Sequence, residues 1–347
     1  MNLSPLKYLS VFTLPALAYI SFNSTGWLTY LPLIEVFVLI PILELFFKPN
    51  PNNISEEESK SRLSNIFYDL MVYSVVPVQL VFLYLFLQSM QAPNLDLITK
   101  IGRISTMGML CGVMGINVAH ELGHRSKKYE QWMSKVLLMT SLYMHFFIEH
   151  NRGHHKNVST SEDPSSARLG ESLYSFWFRS VRFTYLSAWK LESQRLQRLG
   201  KSAFSISNEM LNFQIIQLSL LALIYYFFGF NVMFYFILAA VIGFLMLETV
   251  NYIEHYGLSR KKEGDRYERV MPVHSWNSDH VVGRIVLFEL SRHSDHHFIA
   301  SRKYQILRHM DDSPQMPTGY PGMMMMATIP PLWFSIMNNR LAENDYL

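Results

Sequence analysis

Long apolar runs alternate with strongly polar stretches along this chain. A helix that spans a bilayer needs about 20 predominantly apolar residues. Residues 8–22 are apolar but form a short run. Residues 27–47 are long enough and carry only Glu35 and Glu44 as charges. Residues 72–93 and 104–119 carry none. Extending the latter back to Leu97 brings in Lys100 and Arg103, which can snorkel to an interface. Residues 213–247 contain no charge. That stretch is too long for one helix and fits two short ones broken at Gly229-Phe230-Asn231. The pattern predicts an all-α membrane protein with six transmembrane helices. Its 347 residues form one unit: four spans within about 8–119, a cytoplasmic or interfacial region 120–212, a two-span hairpin 213–247, and a cytoplasmic region 248–347. Residues 132–148 are also apolar but contain Lys135 and His145. A crossing there would put His124 and His150 on opposite sides, so this segment is expected to lie along the interface or dip in and return.

Composition agrees with a membrane setting. Charged residues are 16% of the chain and apolar residues 50%, against roughly 25% charged in soluble proteins. Mean hydropathy is +0.10. Of 30 Lys and Arg, 13 lie between Arg125 and Lys201 and 11 from Arg260 onward. By the positive-inside rule both regions are cytoplasmic, which places both termini inside and the loop near Asn23 outside. The N-terminal apolar run shows no obvious cleavage site and reads as an anchor. Net charge is only +3 and gives no reason to expect nucleic acid as a partner. The single cysteine, Cys111, excludes a disulfide within the chain and a four-thiolate iron centre.

Histidine carries the chemistry. Nine of the 13 histidines fall in four clusters: His120 and His124; His150, His154 and His155; His255; and His293, His296 and His297. The pairs His120/His124, His150/His154 and His293/His297 are spaced i,i+4, which on a helix places both rings on one face. Neutral imidazole ligates Fe, Zn, Cu and Ni. A mononuclear site takes about four to six ligands, so nine rings imply two metals close together. Glu121, Glu149, Glu254 and Asp295 stand beside ligands and are expected to accept the imidazole N–H and fix its tautomer. His145, His274, His280 and His309 are expected to be structural. Glu35, in mid-span, is a candidate functional carboxylate or a tie between helices. The first cluster also matches the H-E-x-x-H zinc protease pattern, but three ligands would leave the other clusters unexplained. A transporter or metal-binding membrane protein would account for spans and histidines, though not for four clusters gathered at one mouth.

These motifs resemble the integral-membrane alkane 1-monooxygenases, within the histidine-box superfamily of membrane desaturases and hydroxylases. The resemblance runs from about Thr25 to Met337. It includes Asn251-Tyr-Ile-Glu-His-Tyr-Gly-Leu258, His274-Ser-Trp-Asn-Ser278, Glu192 with Gln194-Arg195-Leu196, and Pro317-Thr-Gly-Tyr-Pro-Gly322. The third box departs from the family pattern at Leu290-Ser291-Arg292, Phe298 and Ile299, which bears on substrate choice. The resemblance implies a non-haem di-iron enzyme with the nine histidines as ligands. It would use O2 and two electrons to hydroxylate the terminal methyl of an n-alkane taken from the bilayer. It also implies rubredoxin as electron donor, fed by an NAD(P)H-dependent reductase, in a bacterial inner membrane. A fatty-acyl desaturase or an aryl-methyl or lipid hydroxylase is the alternative within the superfamily. Val36 and Phe37 are candidates for the stop that sets chain length.

Overall fold

The computed structural model describes residues 4–343, and the termini beyond them lie outside the described residues. Each apolar run is helical. A 3-10 segment, Ser4–Phe12, leads into α1 (Thr13–Phe22). α2 (Gly26–Phe46) contains a π segment, Glu35–Leu39. A short polar helix, α3 (Glu56–Ser64), precedes α4 (Ile66–Ser89). α5 (Leu97–Gly123) includes a second π segment, Leu110–Ile116. Four helices, α2, α4, α5 and the later α9 (Glu209–His255), are long and apolar enough to cross a membrane. α9 runs 47 residues but is two arms. Gly229 breaks it at φ 82° and ψ 171°, a conformation essentially reserved for glycine, at the position where the hydrophobic run is too long for a single crossing.

The turns between these helices gather at one end. Arg103 is buried and donates to the carbonyl of Ser89, at the end of α4, at 2.6 Å, and to that of Ser24, after α1, at 2.7 Å. Snorkelling was the expectation for this residue. Instead it satisfies carbonyls that helix ends leave without intrahelical partners. Met90, Lys100 and Asn231 line one depression, so the Gly229 turn lies there too. The polar regions collect at the opposite end. There Lys7 pairs with Glu289 at 2.6 Å, Asn50 N–H donates to the Asp279 carbonyl, and Arg62 donates to the Gln305 carbonyl.

Close packing joins α5 to the second arm of α9. A Cβ built on Gly108 would lie 2.5 Å from Ile242, and one on Gly243 would lie 2.5 Å from the Cβ of Cys111. Small residues let two backbones approach within a membrane. Glu35 accepts a hydrogen bond from Thr13 Oγ1, a tie between α1 and α2.

The segment 132–148 turns back on itself. α6 (Lys128–Met139) ends in a turn with Leu142 at φ 51°. The next helix, α7 (residues 146–157), brings His150 to 3.0 Å from His124, Nε2 to Nε2. α8 (Leu173–Arg198) then packs along α7 and α9. After α9 come a two-residue antiparallel hairpin, β1 (Lys262–Glu263) with β2 (Arg266–Tyr267), and four short helices: α10 (Val281–Val286), α11 (His293–Phe298), α12 (Tyr320–Ala327) and α13 (Pro330–Glu343).

Candidate metal centre

All nine clustered histidines converge at the polar end of the bundle, in two groups. His120, His124, His150, His155 and His296 form one, and His154, His255, His293 and His297 the other. Within each group the nitrogens lie within 4.8 Å of one another. The closest Nε2 pairs are His124–His150 and His150–His155, both 3.0 Å, His155–His296 at 3.2 Å and His255–His293 at 3.3 Å. Ligands about 2.1 Å from a first-row metal and at right angles would sit about 3.0 Å apart, so these spacings are those of a coordination polyhedron. Several ring nitrogens are buried without a hydrogen-bond partner: both of His120 and His297, Nε2 of His154, and Nδ1 of His293 and His296. Orphaned buried polar atoms are costly, and a cation in each group would satisfy Nε2 of His154 and one nitrogen each of His120 and His297, whereas Nδ1 of His293 and of His296 lies on the side of the ring away from the Nε2 that faces the group. Burial and the neighbouring rings keep His150, His155, His293, His296 and His297 deprotonated, and His124 is pushed down to about 3. Neutral imidazole is the form that binds metal.

The second cluster departs from its expected geometry. His150 and His154 are i,i+4, yet they lie in different groups, and the i,i+5 pair His150/His155 shares one. The cause is a π segment, His150–His154, which hydrogen-bonds i to i+5 and rotates the rings relative to an α-helix. His120/His124 and His293/His297 do share groups.

Three of the four acidic neighbours have other partners. Glu121 takes a two-pronged hydrogen bond from Arg125 at 3.0 and 2.7 Å. Asp295 accepts from Arg302 and from Arg308, its backbone N–H included. Glu149 meets Ser187, and burial together with Asp163 and Glu248 pushes its carboxyl well above the usual range. The reason is helical geometry: a residue one position from a ligand points about 100° away from it. Glu254 reaches a ring, but at the nitrogen that faces the metal group rather than the one behind it. Its Oε2 lies 3.1 Å from Nε2 of His293, while Tyr320 donates to Oε1 at 2.6 Å. The carboxylate that orients a ligand is Asp163, which sequence reading missed. Nδ1 of His154 lies 2.8 Å from its Oδ2, leaving Nε2 facing its group. Burial would raise the Asp163 carboxyl, but His154 and Ser166 outweigh it and hold it low. Asp163 sits nine residues along, in an Asp-Pro-Ser-Ser turn, where no helical spacing marks it.

The four remaining histidines lie outside both groups. His145 packs between Tyr143 and Tyr185. His274 is 3.3 Å from Glu268, His280 from Ser278 is 3.0 Å, and His309 is 2.6 Å from Asp279.

A narrow, mostly apolar cavity abuts the centre. His120, His150, His293 and Glu254 form its polar wall, and Val36, Ile40, Val113, Ile116, Leu287 and Leu290 belong to its apolar one. Val36 faces the cavity, whereas Phe37 faces a separate groove. Phe298 is not on the cavity wall, and the Arg269 guanidinium lies 5.1 Å from its ring.

Residues 101–326 match the family model described as fatty acid desaturase. An alkane 1-monooxygenase of Pseudomonas aeruginosa is 42% identical over 311 residues, covering 89% of this chain and 81% of that one. One from Alcanivorax borkumensis is 37% identical, covering 92% and 80%. The chain belongs to the fatty acid desaturase family, among its alkane 1-monooxygenases. The xylene/toluene monooxygenase hydroxylase component of Pseudomonas putida is more distant, at 27% identity over 82% of this chain. The relatives are named as monooxygenases, and membership among them removes the zinc protease reading of the first cluster.

Proposed function

We propose that this protein is an integral-membrane, non-haem di-iron monooxygenase that converts medium- or long-chain n-alkanes to 1-alkanols. The observation that carries the reading is the juxtaposition of nine imidazoles in two groups with a narrow, mostly apolar cavity. The five-ring group would hold one iron and the four-ring group the other. When bound, such a pair supplies activation of O2 by two electrons and two protons, with one oxygen atom inserted into a C–H bond and the other leaving as water.

The chain's own residues do the rest. Asp163 fixes the tautomer and direction of His154. Glu254, held by Tyr320 beside His293, can keep or release a proton at the polar wall of the cavity. Val36, Val113, Ile116 and Leu290 exclude water and confine an alkyl chain, so a terminal methyl reaches the polar wall by geometry.

Electrons would arrive from a rubredoxin and its NAD(P)H-dependent reductase, because Cys111 is single and buried. His124 and His155 are the half-buried rings of the centre and offer the nearest approach for a donor. The basic polar end would steer an acidic donor. Six spans in a bacterial inner membrane, with the polar end cytoplasmic, complete the reading.

The test supplies the reconstituted protein with a rubredoxin, its reductase, NADH, labelled O2 and a ladder of n-alkanes. Labelled 1-alkanols support the proposal. A double bond in an acyl lipid, or a labelled alcohol formed only from an aryl methyl group, would replace it with another branch of the family.

A further inference from the structure

We propose that a groove on the lipid-facing side of the bundle is the doorway through which the alkyl chain reaches the cavity, with Met246 and Met324 as its gate. The inference rests on the reading of the cavity as the alkyl-binding tube.

The groove is open to the surface and is lined by Phe37, Trp177, Ile242, Leu245, Thr249, Met325 and Thr328, besides the two methionines. Met246 and Met324 also line the cavity. They are the two side chains common to both spaces, one from the second arm of α9 and one from α12. Methionine is unbranched and rotates freely about three bonds, so two of them can part for a chain without moving backbone. Gly112 opposite leaves the space for one of them: a Cβ there would stand 3.1 Å from the Cβ of Met246 and 3.2 Å from its Sδ.

α2 separates the compartments, since the adjacent residues Val36 and Phe37 face the cavity and the groove respectively. The groove's surroundings are lipid-like. Met325 in its wall is exposed and apolar, as are Val38 and Ile42 of α2 and Leu238 of α9, the helices that carry Phe37 and Ile242. Its polar side chains have partners within the protein, Trp177 Nε1 donating to Thr249 Oγ1 at 3.1 Å and Thr328 Oγ1 to the Met325 carbonyl at 2.6 Å. An alkyl chain is the occupant such walls suit, and it would pass from bilayer to cavity without meeting water.

The experiment places the full-length protein in phosphatidylcholine vesicles with an n-alkane bearing a terminal diazirine, and maps photo-adducts by mass spectrometry. Wild-type protein should be labelled both at groove residues (Leu245, Met325) and at cavity residues (Val113, Leu290). In Met246→Trp and Met324→Trp, cavity adducts should be lost while groove adducts persist. Metal bound per chain, measured on the same samples, verifies the fold. Leu245→Trp, which obstructs the groove outside the gate, should also deplete cavity adducts. Undiminished cavity labelling in the closing variants overturns the gate and leaves the cavity reading standing. An absence of cavity labelling in wild type overturns the cavity reading and the gate with it.

Discussion

Asp163→Asn is the most informative perturbation of the centre. The carboxylate and His154 are both fully buried and 2.8 Å apart, and Oδ2 also accepts from Ser166 Oγ. Oδ1 accepts from the Ser165 N–H at 3.0 Å. Asparagine preserves shape but can satisfy only one side of this arrangement. With its oxygen toward His154, its amide N–H2 faces the Ser165 N–H, donor against donor. With the amide reversed, it faces Nδ1 of His154 and forces the tautomer whose proton sits on Nε2, the nitrogen turned toward the metal group. A hydrogen bond to a charged group contributes about 1.5–3 kcal/mol, and loss of a ligand's outer partner typically costs about 10–100-fold in metal affinity. Wild type is expected to hold two ions per chain. Asp163→Asn should release the ion of the four-ring group at a chelator concentration about 10–100-fold lower, with the other ion retained. The assay is anaerobic competition between chelator and Fe(II)-loaded protein in detergent, read as metal per folded chain. Asp295→Asn is the comparison, because that carboxylate serves Arg302 and Arg308 and its loss should leave metal affinity unchanged in the folded fraction. Wild-type affinity in Asp163→Asn, or an equal loss in Asp295→Asn, would refute the assignment.

Four further outcomes are expected. His154→Ala should remove one ion and His296→Ala the other, since they belong to different groups; both should abolish alkane turnover, and turnover retained in both would end the ligand assignment. Val36→Trp should shorten the longest alkane hydroxylated, read as the product range on a chain-length ladder, with each excluded CH2 forfeiting about 0.8 kcal/mol of burial. Gly229→Ala should destabilise the protein by roughly 1–3 kcal/mol in detergent unfolding while leaving metal affinity of the folded fraction intact. His145 is pushed down to about 3 by burial from an ordinary value near 6.5. The unfolded chain therefore takes up a proton first as pH falls. The stability that neutral His145 contributes is present above about 6.5 and is lost toward 3, at up to about 1.4 kcal/mol per pH unit. The stability difference between wild type and His145→Phe should slope accordingly, and a flat difference would reject it.

How far the sequence discloses this molecule depends on whether a feature is local or folded. The apolar runs and the break at Gly229 are legible because span length and a missing Cβ act within one stretch of chain. The convergence of the histidines is legible in outline, since nine imidazoles at one predicted end have few other uses. The division of His150 from His154 is not, because an i,i+4 spacing reads as an α-helical face and nothing in His-Asn-Arg-Gly-His announces a π turn. Ion-pair partners are partly hidden. Glu121 and Asp295 look like supports for the rings beside them, but the helix turns Glu121 toward Arg125, a pair whose i,i+4 spacing the sequence does carry, and Asp295 toward Arg308, which no helical spacing marks. The support for His154 comes from a loop, where residue order carries no periodicity and only folding shows which carboxylate meets which ring. The same logic bears on Val36 and Phe37. Sequence could name both as candidates for a chain-length stop, while only the packing of α2 between the two spaces decides that Val36 faces the cavity and Phe37 the groove. Three π segments, at 35–39, 110–116 and 150–154, thus lie where the fold departs from the regular helical reading. The first places the cavity wall, the second leads into His120, and the third distributes three rings between two groups. Such segments carry imperfect hydrogen bonding and recur at functional sites. Their clustering around the metal centre and its cavity is what a fold looks like when regular helices have been locally re-aimed to bring nine side chains and one apolar chain to the same place.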